Sequence, residues 1–266
     1  MATATSVPPR DVGWIGATGG EGNAPVTFEL VQPLTGESVF QEFRFVRRQG
    51  ICHLKLADVS TAELGATRER LQQAGVEEAM AMTVDGRVRR HFFETRAMLG
   101  GYLVEIDEVL TQGDPHPPSG SNWDLGRVAI RPEGVGPVPI FGVNHFGIVV
   151  DDVLRSIENY HALLGASTWT IRDWRTEPGS LECPYYRGES VDHEYLTALS
   201  PFRDFGFEII QPTHGPSHYN REFRDLWGQG IHHMLLDMST SAVEFEQTRD
   251  WLASIGVTYC EIVRAS

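Results

Sequence analysis

Histidine and glutamate residues recur at matching places along this chain, in segments whose composition predicts β-strands. Each predicted unit has a histidine near the start of its first strand and a glutamate in its last strand. The histidines are His53, His145 and His233, and the glutamates are Glu29, Glu105 and Glu208. Imidazole and carboxylate without thiolate suit Zn, Fe, Mn, Co or Ni. The sequence therefore predicts that these residues bind a divalent metal ion, without choosing among the metals.

Strand alternation separates these side chains from the apolar core. In FGVNHFGIVV, His145 alternates with apolar residues, and Glu105 does so in GGYLVEIDE. A carboxylate among buried aliphatic residues must be paired, hydrogen-bonded or metal-bound, because an unpaired buried charge is strongly unfavourable. A single strand histidine is more often structural than a ligand, but the repeated placement favours metal binding.

An internal repeat supplies the elements that position these residues. Residues 28–76 and 207–257 run in step at an offset of about 180 residues, from FELVQP and FEIIQP to the glycines that close a predicted helix. A fainter copy begins at His145. In each copy a short strand leads into a helix that ends at glycine, and β-rich runs follow. The repeating unit is therefore predicted to be β-α-β-β-β.

These units predict an α+β fold in which repeated βαβββ units form curled mixed sheets around a metal cleft. Complete units span about 50–108 and 143–212, with partial units before and after them. The predicted domains are a first module at 1–110, a Pro- and Gly-rich linker at 111–142 and a second module at 143–266. Both modules are predicted to be incomplete, the first at its N-terminus and the second at its C-terminus.

Three further side chains are candidates for acid–base chemistry. His91, His193 and Tyr195 lie in or beside predicted middle strands that could line a cleft. The alternative is that each is an ordinary structural residue. His232 precedes the predicted ligand His233 and is expected to be structural or to support that ligand.

Composition limits the class of protein and its partners. The 266 residues are 41% apolar and 22% charged, which is typical of a globular protein. The net charge of −14 argues against nucleic acid and anionic membranes as partners. Three cysteines without a CxxC motif favour a reducing compartment, and neither a signal peptide nor a membrane-length apolar run is visible. We therefore expect a cytoplasmic protein.

Several segments resemble a known superfamily. VNHFGIVVDDVLRSIENYHALLG, FEIIQP, and GIHHMLLDMSTSAVEF followed by WLASIGV are similar to the vicinal oxygen chelate proteins, which include glyoxalase, methylmalonyl-CoA epimerase and extradiol dioxygenases. FFETRAMLGGYLVEI resembles the end of an epimerase-like module. In that superfamily, paired βαβββ units bind a metal through His, Glu or Gln, His and Glu, one ligand per motif.

The resemblance implies two possible ligand arrangements. In the first, the N-terminal module supplies Glu29, His53 and Glu105, and the C-terminal module supplies His145, Glu208 and His233. In the second, the two complete units pair and bring His53, Glu105, His145 and Glu208 together. A homodimer is expected, because the partial units leave sheet edges unpaired. The alternative is that the partial units complete one another within one chain.

The resemblance also implies a function. The first expectation is a metal-dependent isomerase, epimerase or lyase that acts on a small carbonyl or carboxylate substrate through a metal-stabilised enolate. The runner-up is an Fe(II) extradiol-type ring-cleaving dioxygenase. A third possibility is a non-catalytic small-molecule-binding protein of the same fold.

Overall fold

A computed structural model describes residues 13–19, 27–84, 86–111, 142–237, 241–257 and 261–265. Almost all of the predicted linker lies outside these residues. Among the described residues, none of the helices combines the length and the apolar character needed to cross a membrane.

The described residues of the first half of the chain form six strands and three helices. They are β1 (Gly13–Gly19), β2 (Phe28–Thr35), α1 (Val39–Arg47), β3 (His53–Val59), α2 (Thr61–Gln73), β4 (Glu78–Val84), β5 (Val88–Phe93), α3 (Arg96–Leu99) and β6 (Leu103–Val109).

In the second half, the residues that the structure describes form eight strands, three α-helices and one π-helical turn. They are β7 (Gly142–Val149), α4 (Val153–Leu164), β8 (Thr170–Arg175), β9 (Leu181–Tyr186), β10 (Glu189–Ser190), β11 (Glu194–Phe202), β12 (Phe205–His214), the π-helical turn Asn220–Arg224, α5 (Asp225–Trp227), β13 (Gly230–Asp237), α6 (Ala242–Ser254) and β14 (Glu261–Ala265).

The two larger sheets share one strand order. The first is β3-β6-β5-β4, and the second is β7-β12-β11-β8 with β13 added beside β7. In each, the first strand of the unit pairs in parallel with the last strand, and the other neighbours are antiparallel. The predicted α+β fold with mixed sheets is confirmed, and none of the described sheets closes into a barrel.

Two smaller sheets complete the described structure. β1 and β2 form an antiparallel pair, and β9 lies between β10 and β14. The sequence did not predict α1, the β9–β10 hairpin or the π-helical turn. All three lie between or beside the regular elements of the units.

Local sequence signals fix the two long helices that follow the first strands. α2 begins with a capping box in which the Ser60 side chain accepts from the Glu63 N–H and the Glu63 carboxylate accepts from the Ser60 N–H. α4 begins at Asp152, whose carboxylate accepts from the Arg155 N–H, and ends at Gly165, which has a left-handed φ of 74°.

One hydrophobic core joins the two larger sheets. It contains Leu64 and Leu71 of α2, Tyr160 of α4, and strand residues from both sheets. The Tyr102 hydroxyl donates to the Tyr160 hydroxyl at 3.0 Å, and the Tyr160 hydroxyl donates to the Leu99 carbonyl at 2.8 Å. The helix-covered faces therefore pack together, and the predicted ligands lie on the opposite faces of their sheets.

Candidate metal centre

One triad of predicted ligands lies on three neighbouring strands at one side of the five-stranded sheet. His145 is in β7, Glu208 is in the neighbouring β12, and His233 is in β13 on the other side of β7. The Oε2 atom of Glu208 lies 3.2 Å from His145 Nε2 and 3.5 Å from His233 Nε2. Three consecutive strands therefore place three ligand atoms around a common point, all within 4.8 Å of one another.

These separations fit a bound transition metal. With metal–ligand bonds of about 2.1 Å, neighbouring ligands around one ion lie about 3 to 3.5 Å apart. The three side chains are half-buried, so the site has an open side that faces solvent. Two imidazoles and one carboxylate also form a recognised donor set for divalent metals.

A glycine makes room for one ligand. Gly147 pairs with Glu208 in β12 and with His233 in β13. A Cβ at this position would overlap the His233 ring. The ladder also has a register shift between Ile231 and His233, where His232 is the extra residue. The bulge and the missing side chain together let the His233 ring lie over the sheet.

The far nitrogen of each ligand histidine has its own partner. His145 Nδ1 lies 3.1 Å from Asn144 Oδ1, and His233 Nδ1 lies 3.0 Å from His232 Nδ1. Burial lowers the pKa of His232 to about 3, aided by His218 and His233, so His232 is neutral at physiological pH. A neutral imidazole and a carboxamide oxygen can both accept a hydrogen bond from Nδ1–H. This assignment leaves each Nε2 lone pair directed at the site.

The carboxylate of this triad is ionised. Burial acts to raise the pKa of Glu208, but the nearby imidazoles of His145 and His233 outweigh it and lower the pKa to about 2. Glu208 is therefore a ready metal ligand at neutral pH.

Aromatic side chains form one wall beside the triad. The Tyr219 ring centroid lies 6.3 Å from that of His233 and 5.4 Å from that of Tyr195. Tyr195 is stacked near Trp174 at 6.2 Å, and His218 contacts Tyr219 at 4.0 Å. This wall offers phenol and imidazole groups within a few ångströms of the ligands.

A second triad contains His53 of β3 and Glu105 of β6 on the four-stranded sheet, together with Glu29 of β2 in the β1–β2 pair. His53 Nε2 lies 2.8 Å from Glu105 Oε2 and 4.0 Å from Glu29 Oε2. Arg90 of β5 lies between the two carboxylates. Its guanidinium donates to Glu105 at 2.6 and 2.9 Å and to Glu29 at 2.9 and 2.5 Å.

The charge balance of this triad differs from that of the other. Burial acts to raise the pKa of Glu105, but His53 and Arg90 outweigh it and lower the pKa well below its usual range. Burial acts to lower the pKa of Arg90, but Glu105 and Glu29 outweigh it and raise the pKa. Arg90 is thus a permanent cation held by both carboxylates.

His91 lies away from both triads. It is fully buried on the face of β5 opposite to Arg90. Its Nδ1 atom lies 3.1 Å from Glu78 Oε2, and its Nε2 atom lies 3.3 Å from Glu108 Oε2. The acid–base role predicted for His91 stays a prediction, and this placement beneath α2 does not favour it.

His193 and Tyr195 lie nearer to the triad of His145, Glu208 and His233. His193 is fully buried just before β11, and its backbone exchanges two hydrogen bonds with the Thr176 hydroxyl. Its ring centroid lies 5.7 Å from that of Tyr195, which reaches the triad through Tyr219. Of the three predicted acid–base residues, Tyr195 is the one that a single intervening ring, Tyr219, connects to His233.

The structure brings the six predicted ligands together as two groups of three. It does not join His53 and Glu105 with His145 and Glu208, which was the other arrangement that the sequence allowed. Sequence reasoning missed Arg90, Asn144, Gly147 and Tyr219. Gly147 had a signal, since a glycine inside a strand often marks a close approach.

No protein-family model and no curated protein matches this chain. A mutant of 4-hydroxymandelate synthase from Streptomyces coelicolor is similar in structure, with a TM-score of 0.55 at 14% identity over 84% of this chain and 60% of that one. This chain thus spans about 60% of the length of that structure.

Two other solved structures are similar over smaller parts. A methylmalonyl-CoA epimerase from Mycobacterium tuberculosis gives a TM-score of 0.26 at 21% identity, over 44% of this chain and 65% of that one. A glyoxalase I mutant from Zea mays gives 0.27 at 17% identity, over 61% and 46%.

Proposed function

We propose that this chain, which has the fold of the vicinal oxygen chelate proteins, is a divalent-metal-dependent enzyme that acts on a small oxygenated substrate. Its centre would be His145, Glu208 and His233. The observation that carries the proposal is the convergence of these three ligand atoms, with Asn144 and His232 orienting the imidazoles. A metal bound there would supply Lewis-acid stabilisation of negative charge on a substrate carbonyl or carboxylate oxygen.

The reaction that we favour is proton transfer next to a carbonyl, as in an isomerase, epimerase or lyase. Three protein ligands leave positions open, so a substrate with two adjacent oxygens could bind beside them. Tyr219 and Tyr195 on the wall would hold or move the proton at their phenol oxygens. His193, behind Tyr195, is a further candidate for this step.

A second candidate function is an O₂-dependent ring-cleaving reaction. One observation favours it: two histidines and one carboxylate are the donor set of the non-haem Fe(II) oxygenases. Proton transfer and ring cleavage would use the same three ligands, so the metal site alone does not separate them.

Metal binding is tested on purified wild-type protein and two variants. We expect the wild type to contain or bind a divalent ion. The affinity of His145→Ala for that ion should fall by more than the roughly 10- to 100-fold that is typical of changes to residues that only support a ligand. His161→Ala is the matched control, because His161 is exposed on α4, away from the triad. Absence of metal from the wild type, both as isolated and after titration, would reject the proposal and favour a metal-free binding protein.

The reaction is tested by turnover in D₂O without oxygen, using a panel of small α-hydroxycarbonyl and 2-oxo acid compounds and catechol. Proton transfer predicts incorporation of solvent deuterium without O₂, and slower incorporation in Tyr219→Phe and Tyr195→Phe. His193→Ala and His91→Ala show whether either histidine takes part. Strict dependence on O₂ with a ring-opened product would replace proton transfer by the second candidate.

A homodimer and a cytoplasmic location remain predictions of the sequence. The dimer is tested by light scattering of the purified chain at micromolar concentration, where a stable monomer would contradict it.

A further inference from the structure

We propose that Arg90 is a built-in cation that takes the place of a metal ion in the triad of Glu29, His53 and Glu105. The chain would then bind metal at His145, Glu208 and His233 alone, and removal of Arg90 would create a second metal site.

The guanidinium uses the oxygens that a metal would need. Arg90 donates four hydrogen bonds, two to each carboxylate, so that all four oxygens of Glu29 and Glu105 accept from it. The same Glu105 Oε2 also lies 2.8 Å from His53 Nε2. A metal at this point would displace those bonds and would be repelled by the guanidinium, which stays charged.

The other triad has no such side chain at the equivalent position. Arg90 pairs across the strands with Asp107, two residues after Glu105. Thr197 pairs with Ile210, two residues after Glu208. Thr197 therefore occupies in β11 the place of Arg90 in β5. Its short side chain accepts from the Trp174 indole N–H at 3.0 Å and cannot reach a carboxylate as arginine does.

Apolar packing also closes the triad around Arg90. Phe40 and Phe92 contact the His53 ring, with centroid distances of 5.8 and 5.3 Å. They belong to a small buried cluster with Val39 and Leu103. Among the described residues, the buried His53 Nδ1 atom has no hydrogen-bond partner, unlike the Nδ1 atoms of His145 and His233. No side chain in the part of the chain that the structure describes therefore orients His53 in the way that Asn144 orients His145.

The proposal is tested by measuring Co²⁺ binding to full-length protein in which Arg90 is replaced by threonine or Thr197 by arginine. Metal-free wild type is expected to bind about one Co²⁺ per chain, Arg90→Thr about one more and Thr197→Arg about one fewer. The ion gained by Arg90→Thr should be lost again when His53→Ala is added. Circular dichroism confirms that each variant is folded.

Two results would overturn the proposal. The first is a folded Arg90→Thr variant that gains no Co²⁺. The second needs no change at Arg90: a His145→Ala variant that still binds Co²⁺ and loses it on addition of His53→Ala. If Arg90→Thr does not fold, this second measurement decides, and absence of Co²⁺ from His145→Ala supports the proposal.

The same titrations separate this proposal from the proposed function. Wild type that binds no Co²⁺, together with an Arg90→Thr variant that binds it through His53, would uphold the role of Arg90 and reject the metal centre at His145. Wild type that binds Co²⁺ through His145, together with an Arg90→Thr variant that gains no Co²⁺, would uphold the metal centre at His145 and reject the role of Arg90.

Discussion

The two triads have the same ligand types on sheets of the same strand order, yet their surroundings differ. Around Glu105 the neighbouring strands supply Arg90 and Lys55, and Lys55 forms an ion pair with Asp107 at 3.0 Å. Around Glu208 the equivalent positions hold Thr197 and Gly147. Arg90 is therefore the protein cation that pairs with Glu29 and Glu105, whereas the partners of Glu208 are two imidazoles. Ligand residues alone do not distinguish a metal centre from an internal ion-pair network.

The repeat extends this contrast to the walls of the two sites. In the aligned sequences Val39, Phe40 and Cys52 of the first copy correspond to His218, Tyr219 and His232 of the second. Burial raises the pKa of Cys52 to about 12, so its thiol is protonated at neutral pH. The first copy thus has an apolar wall, and the second has groups that donate, accept or carry protons.

The largest effect is expected when Arg90, the cation between Glu29 and Glu105, is removed. Arg90→Thr leaves two carboxylates close together, and loss of one partner from a buried ion pair costs about 3–5 kcal/mol in the free energy of unfolding. Urea unfolding of metal-free protein measures this. Arg89→Thr is the control, because Arg89 is an exposed neighbour on the same strand. Equal stabilities of the two variants would mean that Arg90 is not a structural cation.

Removal of the negative charge of Glu208, in the triad with His145 and His233, should affect metal binding instead. Glu208→Gln keeps the size of the side chain but removes a charged ligand, so we expect metal affinity to fall by more than about 100-fold. Titration calorimetry on wild type and variant checks the change. Unaltered affinity would show that Glu208 is not a ligand and would remove the contrast between the triads.

A smaller loss is expected from a methyl group at Gly147. Gly147→Ala should displace the His233 ring and weaken metal binding by about 10- to 100-fold, as for other disturbances of ligand orientation. Gly65→Ala in α2 is the control, since a Cβ there meets nothing within 4 Å. If both variants bind metal like wild type, the close approach of His233 to the strand is not required.

The smallest expected effects should be alike in the two modules, because the helix caps belong to the shared scaffold. Ser60→Ala at α2 and Asp152→Ala at α4 should each lower the free energy of unfolding by about 1 kcal/mol. Thermal or urea unfolding of metal-free variants measures both. A large difference between the two losses of stability would mean that the helices, and not only the triads, differ between the two halves of the chain.

The sequence alone determined those features that depend on neighbours along the chain. Alternation placed Glu105 and His145 on the face opposite to the apolar residues, and the Ser60–Glu63 signal gave the start of α2. The order of strand, helix and strands followed from the period of apolar residues. These patterns suffice for the βαβββ units and for the list of possible ligands.

Tertiary structure decided which side chains meet, because strand register joins residues far apart in the chain. Glu29 and Arg90 are 61 residues apart and form two hydrogen bonds. No local sequence pattern predicts this pairing. The same register directs Arg90 into the first triad and His91 to the opposite face, where it contacts Glu108. Each residue type was visible in the sequence, but its partner was set by the pairing of β5 with β6, and the partner determines whether a carboxylate is free to bind a metal.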